Sequence, residues 1–246
     1  MKIYKPYFWK EKKHFFVFLL LPLSILVNIF IFLKKKIVKT KNFKIPIICV
    51  GNIYIGGTGK TPASILICKE LERMSLKPAL IRKYYKNHKD EHRLIKNYFK
   101  NLILNDDRFS AIKEAEIKGF DLAVLDDGFQ DYKIKRDLNI ICFNQNQLAG
   151  NEYIFPAGPL RENLNSLKNA QIILINGSKD FSFEKKLLSI NNDLQFFYSR
   201  YKPTNVNEFK NKKLLAFAAI GNPENFFNLL KIHNLNVKKK LVFPDH

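Results

Sequence analysis

Cysteine is scarce in this chain: Cys49, Cys68 and Cys142 are the only three in 246 residues. Their spacing fits neither a zinc-ligand pattern nor a redox pair, and two of them lie in apolar runs. A disulfide scaffold and a cysteine-based metal centre are excluded, and the three thiols are expected in the core of a protein kept reduced. No internal repeat and no low-complexity linker is present, only a lysine-rich join at 34–44. An Asn-Lys-x-Asp base-reading motif is also missing, which argues against a nucleotide-dependent switch acting on a protein partner. Acids are short as well, 22 Asp and Glu against 42 Lys and Arg, for a formal charge of +20. That shortage is uneven: residues 1–44 hold eleven lysines and one acid, Glu11. A nucleic-acid binder gathers basic and aromatic residues on a face away from apolar runs. Here the charge surrounds an apolar run, so anionic lipid headgroups are the expected partner and nucleic acid is not.

That run extends from Phe15 to Leu33, nineteen residues without a charge. It is long enough to cross a hydrocarbon core of about 30 Å. It is too long for a signal-peptide core, and no small-residue cleavage site follows it. Lys34, Lys35, Lys36, Lys39, Lys41 and Lys44 behind it should hold the following domain on the cytoplasmic side. Lys5, Lys10, Lys12 and Lys13 on the other flank suit a helix lying in the interface, where Pro22 and Asn28 cost less. Spanning and interfacial attachment both fit. Residues 1–44 are therefore expected to be a membrane anchor with basic flanks.

Behind the anchor, the apolar run Ile45 to Val50 leads into Tyr54-Ile55-Gly56-Gly57-Thr58-Gly59-Lys60-Thr61. A buried strand, a glycine-rich turn and a helix form the arrangement that cradles nucleotide phosphates. Glycines let backbone N–H groups approach the anion, Lys60 reaches the β/γ oxygens, and the Thr61 hydroxyl holds Mg²⁺. Pro62 suits the first helical turn. The pattern departs from the usual one at position 54, Tyr in place of Gly. The expected bound species are ATP and Mg²⁺.

The rest alternates strand and helix. A helix is expected over Thr61–Met74, strands over Pro78–Ile81 and Leu102–Asn105, and a helix over Asp107–Lys118 with Asp106 as its N-cap. Strands are expected at Asp121–Asp127, Leu138–Phe143, Gln171–Ile175 and Leu214–Ile220. This order predicts an α/β fold of the P-loop NTPase kind, a mostly parallel sheet with helices on both faces. Ligands then collect at the carboxyl ends of the strands, where the glycine-rich loop and Asp126-Asp127 both fall. A strand-end Asp beside a phosphate loop orients the Mg²⁺ shell, although Asp-Asp-Gly is also ordinary turn chemistry. After the Pro-Ala-Gly-Pro loop, Arg161 suits charge stabilisation on a transferring phosphoryl group and Glu162 suits the metal shell.

Taken in order, Val50-Gly51-Asn52, Gly-Gly-Thr-Gly-Lys-Thr-Pro, Leu125-Asp-Asp-Gly-Phe-Gln130, Phe155-Pro-Ala-Gly-Pro-Leu-Arg-Glu162, Ile220-Gly-Asn-Pro223 and Phe243-Pro-Asp-His246 resemble the tetraacyldisaccharide 4′-kinases. The resemblance covers the whole chain. It implies an inner-membrane enzyme of lipid A synthesis, working on the cytoplasmic side. The reaction moves the γ-phosphoryl of ATP onto the 4′-hydroxyl of a tetraacyl glucosamine disaccharide 1-phosphate, with no obligate protein partner. It also implies two α/β halves, here residues 45–205 and the start of a second at 206–246. Asp90 would match the family's catalytic acid and His246 the imidazole that pairs with it. A carboxylate within reach of a sugar hydroxyl accepts its proton as the new bond forms, and an imidazole can tune it. Three positions depart from the family pattern. Arg82-Lys83-Tyr84-Tyr85 stands for Arg-Gly-Tyr-Gly, Asp131 stands for a His, and the chain ends at His246 where the family continues. An acid at 131 disfavours contact with an anionic lipid, and the second half is expected to lack much of its sheet, leaving strands such as Lys240 to Phe243 short of partners.

Overall fold

The computed structural model describes residues 5–86, 89–203, 205–220 and 223–243. One compact unit spans Lys5–Tyr198, and the chain from Ser199 onward forms a second.

The first unit contains strands β1 (Ile47–Gly51), β2 (Pro78–Lys83), β3 (Leu102–Asn105), β4 (Leu122–Asp126), β5 (Leu138–Asn144), β6 (Ile172–Asn176) and β7 (Gln195–Ser199). They form one sheet in the order β3-β2-β4-β1-β5-β6-β7. Each pair from β3 to β6 is parallel, so the expected α/β sheet is present. Its helices are α1 (Phe15–Ile37), α2 (Lys60–Arg73), α3 (Lys89–Tyr98), α4 (Arg108–Ile117) and α5 (Phe181–Leu188).

Strand alternation assigns side chains to two cores. Leu122 and Val124 of β4 pack with Ala63 and Cys68 of α2 and with Ile95 of α3. Ala123 and Leu125 point the other way, against Ala111, Ile112 and Ala115 of α4. Helices therefore cover both faces, which explains why these strands read as nearly continuous apolar runs. The chain leaves β1 for strands on one side of it and later returns to β5 on the other. The crevice at the carboxyl end of β1 is thus the switch point of the sheet. In the register, Val50 of β1 lies beside Asp126 of β4. That pairing sets the loop after β1 next to the acids after β4.

Two expectations are corrected at helix and strand ends. Asp107, not Asp106, caps α4, because its extended backbone aims the carboxylate at the Ser110 N–H, 3.0 Å away. β8 (Leu214–Ala218) stops two residues short of the expected strand.

Helix α1 has a mean hydropathy of 2.8 over its most apolar window, and only 11% of that window is buried. Phe15, Phe18, Leu19, Leu26, Phe30 and Leu33 are exposed. Val17, Ser24, Asn28 and Lys35 follow one helical stripe that faces the rest of the unit. Ser24 Oγ donates to the Ile154 carbonyl at 2.8 Å and accepts from the Ala157 N–H at 2.9 Å. Asn28 Oδ1 accepts from Asn163 Nδ2 at 3.3 Å. The polar residues inside the apolar helix are therefore satisfied by protein. In the second unit, β8 and β9 (Val237–Val242) pair in parallel across α6 (Pro223–Ile232), around Ala216, Ala218 and Phe227. Leu215 and Phe217 of β8 are exposed.

Candidate active site

The loop between β1 and α2 is held from inside by Asn52, which is fully buried. Its amide reaches the carbonyls of Tyr54 and Gly56 at 2.7 and 3.2 Å and Thr58 Oγ1 at 3.0 Å. Gly59, at φ 90° and ψ 17°, makes the left-handed turn that starts α2 at Lys60. Only glycine takes that conformation at low cost. Tyr54 is buried, 4% exposed, and its backbone bridges to Leu160. The Ile55 N–H donates to the Pro159 carbonyl at 2.8 Å, so the Pro-Ala-Gly-Pro segment supports the loop from outside.

The two strand-end acids face different partners. Asp126 is fully buried and accepts from Thr61 Oγ1 at 2.9 Å, Arg82 Nη1 at 2.5 Å and Ser64 Oγ at 3.4 Å. Arg82 Nη1 also donates to Thr61 Oγ1 at 2.8 Å, while Nη2 pairs with Glu91 of α3. Burial works against the Arg82 charge, but Asp126 and Glu91 outweigh it and raise the guanidinium pKa. Asp127 turns away at φ 60°, into the left-handed region. Its Oδ1 lies 3.6 Å from Lys60 Nζ and 2.9 Å from Arg161 Nη1. Burial pushes the Asp127 carboxyl up, yet Lys60 and Arg161 beside it bring it below its ordinary value. The site therefore presets two cations, Lys60 and Arg161, on a carboxylate.

Arg108, at the start of α4, donates to the carbonyls of Asp126 and Asp127 at 3.3 and 2.8 Å. Its other terminal nitrogen lies 3.8 Å from Asp131. The unexpected acid at 131 is thus partnered by a cation rather than left to repel an anionic substrate. Gln130 ties the pieces together, donating to the Asn52 carbonyl at 3.0 Å and to Glu162 at 3.1 Å. Its Oε1 accepts from Arg161 at 3.3 Å.

Glu162 is 1% exposed, and its oxygens accept from Gln130 and from Lys35 Nζ at the end of α1, the latter at 2.5 Å. Among the described residues no group of three or more His, Cys, Asp or Glu could hold a metal ion. The hydrogen-bond contacts of Glu162 described above are thus to a lysine and an amide, beside the carboxylates of Asp126 and Asp127 rather than on them. Asp90 lies exposed in the first turn of α3, next to the Glu91 that pairs with Arg82. His246, its expected partner, lies outside the described residues. Sequence reasoning missed Arg82, Arg108, Asn52 and Gln130 as parts of this site. For Arg82 there was a signal, a charged residue at the carboxyl end of an apolar strand neighbouring the loop strand. For Arg108 there was none.

A family model described as tetraacyldisaccharide-1-P 4′-kinase matches residues 16–246. A tetraacyldisaccharide 4′-kinase of Pelagibacter ubique (strain HTCC1062) is 42% identical over 252 residues, covering 100% of this chain and 79% of the relative. One from Psychromonas ingrahamii (strain DSM 17664 / CCUG 51855 / 37) is 31% identical, covering 99% of this chain and 80% of its own. In fold, the chain resembles an LpxK from Aquifex aeolicus whose crystal structure is described as an "apo" form in complex with ATP. The TM-score is 0.71 at 24% identity, over 94% of this chain and 82% of that one. Sequence and fold agree: the chain belongs to the tetraacyldisaccharide 4′-kinase family.

Proposed function

We propose that this chain transfers the γ-phosphoryl group of ATP to the 4′-hydroxyl of a tetraacyl glucosamine disaccharide 1-phosphate, at the carboxyl ends of β1 and β4. The observation that carries the reading is the pair of strand-end acids, one on Thr61 and one on Lys60. The loop from Tyr54 to Thr61 binds the phosphates through backbone N–H groups. Lys60 and Arg161 stay on Asp127 until phosphate oxygens draw them over to the charge being moved.

The Thr61 hydroxyl and the Asp126 carboxylate, 2.9 Å apart, are hard oxygen donors that fit Mg²⁺. Magnesium usually takes only one or two protein oxygens and completes its shell with phosphates and water, so a cage of three acids is unnecessary. Bound there, the ion would neutralise charge on the β- and γ-phosphates. Arg82 holds Thr61 and Asp126 in that geometry. Asp90, tuned by His246, accepts the proton of the 4′-hydroxyl as its oxygen bonds to the γ-phosphorus and the bond to the bridging oxygen of ADP breaks. In this reading helix α1 lies at the inner membrane with the site on the cytoplasmic headgroup side. Its exposed apolar faces and the lysines at its end support that placement.

The test uses membranes carrying the chain, γ-labelled ATP, Mg²⁺ and the lipid disaccharide. Label should enter the lipid, and Lys60→Ala or Asp126→Asn should reduce the rate at least about 10²-fold. Transfer at the unaltered rate in Lys60→Ala would remove the loop from the mechanism.

A further inference from the structure

The polar stripe of α1 does not end at the sheet's edge. Its last member, Lys35, is 32% exposed at the side chain and reaches a Glu162 side chain that is 2% exposed. Glu162 is joined through Gln130 to the Asn52 carbonyl under the phosphate loop and to Arg161. Arg161 shares Asp127 with Lys60. A chain of polar contacts therefore runs from the end of the apolar helix to the cations of the phosphate site. Two cavities flank the ion pair. One, of about 220 Å³, follows α1 along Asn28, Ile29 and Phe32; the other, about 460 Å³, is edged by Lys135, Arg136 and Lys168.

We propose that Lys35 is a positioning residue for phosphoryl transfer: it holds Glu162 so that Arg161 stays on Asp127, and thereby couples the seating of α1 to the catalytic site. This rests on the kinase reading above.

Several features of the pair favour such a role over simple anchoring. A lysine whose task is lipid attraction is expected at the surface, as Lys34 and Lys36 are. Lys35 instead meets a buried carboxylate whose other hydrogen-bond partners, among the described residues, are the uncharged Gln130 amide and Tyr132 hydroxyl. Removing one member of a buried pair leaves an uncompensated charge, which then seeks another partner. The nearest covalent neighbour able to answer is Arg161, next in the chain to Glu162. Moving it would leave Asp127 with Lys60 alone, and a displacement of about 1 Å in a catalytic group can cost about 10²-fold.

The experiment compares wild type, Lys35→Ala, Lys35→Arg and Lys35→Ala/Glu162→Gln in phospholipid–detergent micelles. Transfer kinetics and the affinity for a fluorescent ATP analogue with Mg²⁺ are both measured. Lys35→Ala should lower kcat about 10- to 100-fold while leaving KM for the lipid within about twofold. Its nucleotide affinity should shift at least about threefold, because Arg161 has left Asp127. Lys35→Arg should keep most activity. Adding Glu162→Gln should recover both readouts, since the stray charge is gone. A Lys35→Ala variant with unchanged kcat and affinity overturns the proposal. So does a loss confined to KM for the lipid, which would make Lys35 a headgroup contact, or a double variant no better than the single one. If wild type fails to label the lipid, the kinase reading fails, while the affinity readings still decide whether Lys35 governs the site.

Discussion

Replacing Arg82 by methionine keeps most of the volume of the side chain and removes its charge. Among the described residues, the Thr61 and Ser64 hydroxyls are then the hydrogen-bond partners left to the fully buried Asp126 carboxylate. Breaking a buried ion pair from one side costs about 3–5 kcal/mol. The two remaining hydroxyls place Arg82→Met towards the lower end of that range. For a unit of this size, each kcal/mol moves the melting temperature by about 2–4 °C, so a fall of about 6–12 °C is expected. Thermal unfolding with and without Mg²⁺ and ATP provides the assay. A divalent cation beside Asp126 would replace the missing charge, so Mg-ATP should stabilise Arg82→Met by more than it stabilises wild type. Asp126→Asn in the Arg82→Met background should restore much of the lost stability, since the uncompensated charge disappears. A change under about 2 °C in Arg82→Met, or no relief from the second substitution, would refute the view that this pair is the electrostatic centre of the site.

Asp127 gives a pH prediction. Burial raises its carboxyl pKa, but Lys60 and Arg161 outweigh burial and hold it below the ordinary aspartate value of 3.8. A folded-state value below the unfolded one adds stability at higher pH that disappears as pH falls through the folded value. Stability should therefore drop on acidification below about pH 4, and Asp127→Asn should show a shallower drop over that window. Ser24→Ala would strand the buried Ala157 N–H and cost about 1–3 kcal/mol, read from chemical unfolding of the chain in detergent. Gly158→Ala would place a Cβ 2.2 Å from Asn151 Oδ1 and 2.3 Å from the Tyr153 carbonyl. The Arg161 segment must then shift, so transfer activity should fall even where the protein still folds.

The fold was largely legible because its strands are buried on both faces and the glycine-rich loop marks where the first one ends. The pairing of Val50 with Asp126 brings both halves of the phosphate site together; the order of apolar runs implied only that both lie at carboxyl strand ends. What sequence could not supply was which cation meets which carboxylate. Asp126 and Asp127 are adjacent and chemically identical, yet the left-handed backbone at Asp127 sends one to Lys60 and the other to Thr61. Glu162 read as a metal ligand from its neighbours, and its lysine partner, 127 positions away in the chain, left no trace in the sequence. Asp131 read as a defect, and Arg108 from a separate helix partners it. In each case the deciding contact joins side chains far apart in the chain, where chain spacing carries no information. The α1 stripe was readable in principle: Ser24, Asn28 and Lys35 recur at helical spacing, and only their partners were hidden.

The most direct test of the account identifies the product itself. The full chain in membranes is supplied with Mg-ATP and the tetraacyl disaccharide 1-phosphate, and the recovered lipid is analysed by mass spectrometry and phosphorus NMR. One added phosphate is expected, as a monoester at the 4′ position, formed with one ADP and absent in Lys60→Ala. ATP consumption without a phosphorylated lipid, or a phosphate at another hydroxyl, would contradict it.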